Sequence, residues 1–262
     1  MSPARLTAID NYHWGNIRLI ATDMDGTLTQ SEKFDSNLFK ALTRLAASEV
    51  SVLIVTGRSA GWVQAIANYL PVLGAISENG GLLYWNQDPH PHLITEINQT
   101  QHRQQLSQVF ELLKSKFPQI KESADNHFRL TDWTFDVADL NQTELEQLNH
   151  ICQAEGYGFT YSTVQCHIKP LHQDKAIALN KIRQEYFPQL KPKEIVTIGD
   201  SPNDESLFNP EQFPLSVGVA NIMSYSDRLQ YLPKYITNKF AGEGFCELAE
   251  LVINHRQNKS CT

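Results

Sequence analysis

The run Val50-Ser51-Val52-Leu53-Ile54-Val55-Thr56 constrains the fold more than any other stretch of this chain. It is short, rich in β-branched residues and apolar at nearly every position. A strand of that kind has both faces covered, as in a parallel sheet packed between helices. Similar runs recur at Ile17–Thr22, Ile195–Gly199 and Leu215–Ala220. Helical patterns lie between them. In Ser36–Ser48, Leu38, Leu42 and Leu45 fall on one helix face. Ser59 can cap a helix that runs to Leu70, where Pro71 stops it. Asp174–Phe187 reads as a helix, Pro202–Phe208 as a short one, and Gly244–Asn254 as the closing one, with a polar tail after His255 that should fray. Strand–helix alternation of this kind predicts an α/β fold with a doubly wound parallel sheet.

The middle of the chain follows another pattern. Gln101–Phe117 has helical spacing, with Leu106, Val109, Phe110 and Leu113 on one face. Phe128–Leu130 and Trp133–Val137 read as antiparallel strands joined near Thr131-Asp132. Gln142–Glu155 reads as a second helix ended by Gly156, and Tyr157–Ile168 as one or two strands. The expected organisation is a core formed by residues 1–86 and 170–262, with an α+β insert at 87–169.

Composition narrows the function. The 29 acidic and 22 basic residues among 262 leave a formal charge of −7, which disfavours a partner coated in phosphates such as a nucleic acid. No window approaches the 18–20 apolar residues of a membrane span, and Met1–Asn16 lacks the apolar stretch of a signal peptide. Cys152, Cys166, Cys246 and Cys261 are scattered without a C-x-x-C pair, so neither a zinc site nor a disulfide framework is expected. These features together predict a cytoplasmic protein.

Four segments carry chemistry. Asp23-Met24-Asp25-Gly26-Thr27 follows the first strand directly, and puts two carboxylates at the strand end where such sheets bind ligands. Thr56-Gly57-Arg58 follows the second strand, and its hydroxyl and guanidinium suit a phosphoryl group. Lys175 opens the helix after the insert. Gly199-Asp200-Ser201-Pro202-Asn203-Asp204 follows a later strand with two further carboxylates, hard oxygen ligands that suit Mg²⁺. Each segment alone has a plain structural reading as a turn, a cap or a surface lysine. Together they place four acids, a threonine and a lysine at loops that open on one sheet edge, and such crowding of like charge calls for a cation.

This set resembles the four motifs of the haloacid dehalogenase superfamily, in the branch with a large cap between the second and third motifs. That branch includes sugar phosphatases, sucrose-phosphatase-like and mannosyl-phosphoglycerate-phosphatase-like enzymes, and Cof-like proteins. Ser77-Glu78-Asn79-Gly80-Gly81 is similar to a turn common there before the cap. The resemblance implies a Mg²⁺-dependent phosphatase acting on a small phosphate ester, sugar-like in character. Asp23 would be the nucleophile and form an aspartyl-phosphate, and Asp25 would serve as general acid and base. Asp23, the carbonyl of Asp25 and Asp200 would hold the metal, with Asp204 and Asn203 as further ligands. Thr56, Gly57, Arg58, Lys175 and Asn203 would bind substrate. His172 stands where the related pattern often has glycine, which changes the loop that aims Lys175. In the insert, Asn126, His127, Arg129, Asp136, His167 and Lys169 are candidates for reading the leaving group, and Trp133 and Tyr157 read better as core. A phosphomutase shares the covalent step but returns the phosphoryl group to the sugar. A non-catalytic binding module would be expected to lose Asp23 or Asp25, and both are present. The expected assembly is a monomer or weak homodimer.

Overall fold

A computed structural model describes residues 6–88 and 90–260. The chain opens with β1 (Thr7–Ala8), β2 (Leu19–Thr22), α1 (Ser36–Ala47), β3 (Ser51–Val55), α2 (Ala60–Tyr69), β4 (Gly74–Ser77), β5 (Leu82–Trp85) and β6 (His92–Leu93). The insert adds α3 (Gln99–Lys116), β7 (Trp133–Asp136), α4 (Gln142–Ala154), β8 (Tyr157–Tyr161) and β9 (Gln165–Pro170). The chain then continues through α5 (Lys175–Tyr186), β10 (Ile195–Gly199), β11 (Ser216–Gly218), β12 (Tyr235–Ile236) and α6 (Ala241–Ser260).

Nine strands form one sheet in the order β1-β12-β11-β10-β2-β3-β4-β5-β6. Pairing is parallel from β1 to β4 and antiparallel at β5 and β6. The apolar runs explain this placement. In β2 and β3, Ile20, Val52 and Ile54 join the core beneath α1, α2 and α6, while Leu19, Ala21, Leu53 and Val55 join a second core against α5. Alternate residues therefore serve opposite layers, as the period of a strand requires. The chain winds from β2 outward through β3 and β4, then returns to β10 on the other side of β2. The crevice between the ends of β2 and β10 is the switch point where ligands bind in such sheets.

The other sheet is small and antiparallel, in the order β7-β9-β8. Phe135, Cys166 and Ile168 turn inward against Leu106, Phe110 and Leu113 of α3 and Leu145, Leu148 and Cys152 of α4. Alternation leaves Gln165, His167 and Lys169 of β9 on the opposite face.

Several expectations need correction. Phe128–Leu130 is no strand: Asn126–Phe128 is a single 3₁₀ turn, held by Asn126, whose side-chain amide donates to the Thr134 carbonyl and whose Oδ1 accepts from the Thr134 N–H. The short helix expected at Pro202–Phe208 is present with those bounds, as a 3₁₀ helix. The large sheet continues past residue 86, because His92–Leu93 pairs with Leu82–Leu83. The closing helix starts earlier and runs through the tail to Ser260; Cys261 lies outside the described residues. Among the described residues no helix is long and apolar enough to cross a membrane.

Candidate active site

Two parallel neighbours deliver the acidic groups side by side. Thr22 pairs with Ile198, and the next residue, Asp23, donates its backbone N–H to the Ile198 carbonyl at 2.9 Å. Asp200 follows Gly199 at the end of the adjacent strand. The turn after Asp23 depends on Gly26, whose φ is +78°; a Cβ there would stand 2.5 Å from Asp200 Oδ2. Thr27 Oγ1 donates to Asp200 Oδ1 at 3.0 Å. Asn221, from the loop after β11, donates to Asp200 Oδ2 at 2.9 Å and to the Gly26 carbonyl at 3.1 Å. Asn221 carries no motif signal. Only its position after a strand of the same sheet edge points to it.

Asp23, Asp200 and Asp204 are all buried, with carboxylate oxygens within 4.8 Å of one another. Lys175 is fully buried at the start of α5. Its Nζ donates to Asp23 Oδ1 at 2.5 Å and to Asp204 Oδ1 at 2.6 Å. The second oxygen of Asp204 accepts from the N–H groups of Asp200 and Ser201. Asp204 therefore has both oxygens committed and acts on the site by holding Lys175 and the Asp200 loop. Three carboxylates against one ammonium leave two negative charges below the protein surface. Burial, reinforced by the Asp204 charge, pushes Asp23 up to about 7. Burial and the charge of Asp23 push Asp200 well above the carboxylate range. Burial alone would depress Lys175, but Asp204 and Asp23 outweigh it and hold its pKa above the ordinary value. A divalent cation fits this donor set in both charge and ligand type.

Asp25 points elsewhere. Its carboxylate is held in a two-pronged pair by Arg58, with Nε at 2.8 Å and Nη2 at 2.7 Å. Arg58 also lies over the ring of Trp62, 5.0 Å from its centroid. Thr56 directly follows β3, and its Oγ1 accepts from the Arg58 N–H at 3.1 Å. These groups line a cavity of about 20 Å³. Asp23, Asp25, Thr56, Arg58 and Asn203 form one side, and Ser162, Gln165 and His167 of the insert form the other. Asp200, Asp204 and Lys175 are buried below that lining. A space of this size holds about one water. A phosphoryl group with its alcohol enters only when the two sides part.

A buried polar network joins those sides. Glu78, in the left-handed region with φ +52°, accepts from the Ala60 N–H at the start of α2 (2.9 Å). It also accepts from the N–H groups of Leu130 (3.1 Å) and Thr131 (2.6 Å) and from Thr131 Oγ1 (2.7 Å). Arg129 is buried and donates to the Gly57 carbonyl at 2.9 Å, to Asp132 and Asp125 at 2.9 Å, and to Gln165. His167 Nδ1 lies 2.8 Å from Asp132 Oδ2. Of the candidates in the insert, only His167 lines the cavity. Asn126 and Arg129 bind neighbouring protein groups, Lys169 Nζ donates to the Gln173 carbonyl, and His127 and Asp136 are exposed. His172 is exposed beside a groove lined by Pro170 and Leu171, away from Asp23. Trp133 and Tyr157 pack on the core of the insert. The role of Glu78 was hidden in the sequence, because its partners at 130–132 lie more than 50 residues away in a loop that reads as the join of two strands.

Comparison with known proteins matches this architecture. The model of the family described as sucrose-6F-phosphate phosphohydrolase matches residues 16–242. A phosphoglycolate phosphatase of Methanothrix thermoacetophila is 30% identical over 238 residues, covering 89% of this chain and 96% of its own. A phosphoglycolate phosphatase of Saccharolobus solfataricus is 26% identical, over 90% of this chain and 96% of its own. Among solved structures, a Thermoplasma acidophilum protein superposes with a TM-score of 0.72 at 23% identity, covering 90% of this chain and 99% of that one. The sucrose-phosphatase of Synechocystis, solved with sucrose and phosphate, gives 0.64 at 17% identity, covering 89% and 97%. The chain therefore belongs to the sucrose-6F-phosphate phosphohydrolase family of haloacid-dehalogenase-like hydrolases, and is a phosphatase.

Proposed function

We propose that this phosphatase hydrolyses a small, sugar-like phosphate monoester with Mg²⁺, through a phosphoryl group carried on Asp23. The carrying observation is the buried trio Asp23, Asp200 and Asp204 around Lys175, at the edge of a cavity that Asp25 and Thr56 share. Asp23 and Asp200 would hold the cation, with the carbonyl of Asp25. Bound there, Mg²⁺ offsets the residual negative charge and lets a carboxylate approach an anionic phosphate.

The chain's own groups divide the rest of the work. Asp23 attacks phosphorus, its C–O–P bond forming as the ester P–O bond breaks. Asp25 gives the departing alcohol a proton and later takes one from the water that cleaves the acyl phosphate. That role requires Arg58 to release Asp25, and an incoming phosphate is a competing anion for the guanidinium. Thr56, with the neighbouring Gly57 and Asn203, positions the phosphoryl oxygens, and Lys175 aims Asp23 and favours its ionised form against burial. The insert, residues 87–169, acts as a cap that opens for substrate and closes to exclude water. The buried thiols of Cys152 and Cys166, both unpaired, fit a reducing compartment.

Phosphate release across a panel of sugar phosphates, phosphoglycolate and para-nitrophenyl phosphate tests this reading. Turnover with Mg²⁺ that EDTA abolishes and fresh Mg²⁺ restores is the expected result. Turnover indifferent to EDTA would remove the metal from the account. Isomerised ester without released phosphate would move the reading to a mutase.

A further inference from the structure

β9 of the insert meets Gly57 through His167, whose ring would lie within 3.2 Å of a Cβ built on that glycine. His167 is buried on the face of β9 that looks toward the large sheet, and its ring lines the cavity with Asp23 and Asp25. Its Nδ1 is engaged by Asp132, which is itself fully buried and fixed by Arg129. Asp132 is held below the usual carboxylate range, because Arg129 and His167 outweigh its burial. An ionised Asp132 accepts a hydrogen bond from Nδ1–H, so the imidazole presents the bare Nε2 lone pair to the cavity. Burial also lowers the His167 pKa, which favours that neutral ring. Among the described residues no group pairs with Nε2.

A donor sits beside this acceptor. The amide of Asn79 accepts from Asn203 through Oδ1 at 3.1 Å, which leaves its Nδ2 buried with no partner in the described structure. A methyl built on Gly57 would stand 3.2 Å from His167 Nε2 and 3.1 Å from Asn79 Nδ2. One acceptor and one donor therefore converge over a residue without a side chain. A hydroxyl satisfies both, because it gives one proton and accepts another. A carboxylate has no proton for Nε2, and a methylene leaves both groups unpaired.

We propose that His167, oriented by Asp132, and Asn79 read a hydroxyl of the leaving alcohol, so that the substrates are polyol or sugar monoesters with a free hydroxyl near the ester. This rests on the phosphatase reading above. His167 would touch substrate; Asp132 acts through it as a positioning residue.

The test compares glycerol 1-phosphate with propyl phosphate, which lacks both hydroxyls, in the full-length enzyme with Mg²⁺. A site built to bond a hydroxyl should favour the glycerol ester by about tenfold or more in kcat/KM. His167→Asn keeps a donor for Asp132 but removes Nε2, and should bring the ratio close to one. His167→Gln places an amide oxygen near the Nε2 position and should restore part of the preference. An unchanged ratio in His167→Asn, or equal use of both esters by the wild type, would overturn the proposal. So would a preference for phosphoglycolate that His167→Asn abolishes. Nitrogen-15 spectra of the histidines need no turnover and judge the subsite even if every ester goes unhydrolysed, a failure that would fall on the proposed function instead. The proton on Nδ1 with Nε2 bare at neutral pH is expected; the reverse tautomer or an imidazolium would overturn the subsite.

Discussion

At the edge of the large sheet, one ammonium, Lys175, faces three carboxylates. On the open face of the small sheet, one guanidinium, Arg129, faces two carboxylates, a carbonyl and an amide oxygen. Both clusters are buried, yet their acids are shifted in opposite directions. Asp23 is raised by burial and the Asp204 charge, and Asp200 by burial and the charges of Asp23 and Asp204. Asp125 and Asp132 are lowered, because Arg129 outweighs the cost of burying them. The first cluster is short of positive charge and invites a cation and an anionic substrate. The second is nearly satisfied and holds the cap. Charge balance, more than burial or distance, separates the group proposed to react from the group that supports.

Removing the two cations should break the comparison hardest. Lys175→Met leaves the acidic trio with no internal counter-charge. Without added metal we expect a loss of about 3–5 kcal/mol in stability, and with Mg²⁺ present phosphate release should fall by about 10²–10³ or more. Arg129→Met exposes the same imbalance in the cap. It should cost about 3 kcal/mol and raise KM more than it lowers kcat, since the cap closes less well while the reacting carboxylates stay in place. Denaturant melts and steady-state kinetics on the two variants check both. Equal kcat losses would mean that the clusters are not separate in function.

A smaller effect sharpens the comparison through pH. Because the folded pKa of Asp23 is raised from 3.8 to about 7, the metal-free folded protein holds that proton more tightly than the unfolded chain. Its contribution to stability is complete below about pH 4 and is lost as pH rises through about 7. A cation must displace the proton. Added Mg²⁺ should therefore raise the melting temperature more at pH 8 than at pH 6, as a thermal-shift titration at the two pH values would report. The smallest effect belongs to His172→Gly. That side chain is exposed and away from Asp23, so stability should change by less than about 0.5 kcal/mol and kcat should hold.

Asp23, Thr56 and Asp200 of the large-sheet site were legible in the sequence because each follows a strand of one sheet. Once VSVLIVT and IVTIG are read as buried parallel strands of the same sheet as IRLIAT, Asp23, Thr56 and Asp200 must emerge at the same edge. Lys175 was legible by another signal, as the first residue of a helix that Asp174 caps through the Ile177 N–H. The cap face was not legible to that degree. Asp132 and Glu78 act through partners 35 and 53 residues away in sequence, His167 and Thr131 respectively. Their loop reads as a strand, because Phe128 and Leu130 alternate with polar residues. Alternation along β9 did place His167 and Lys169 on one face. Nothing in the sequence separated the histidine that reaches the cavity from the lysine that bonds Gln173. The clasp between Asp25 and Arg58 was equally hidden, since each motif points to substrate when taken alone.

The most direct test of the central claim is phosphate release by Asp23→Asn beside the wild type, with Mg²⁺ and one good ester. The change keeps the volume of the side chain and leaves Lys175 its bond to Asp204, so the fold should persist and the melting temperature should stay close to that of the wild type. The account predicts a loss of about 10⁴-fold or more in kcat, the scale seen when an acting nucleophile is removed. A folded Asp23→Asn variant that kept a substantial fraction of wild-type turnover would contradict it.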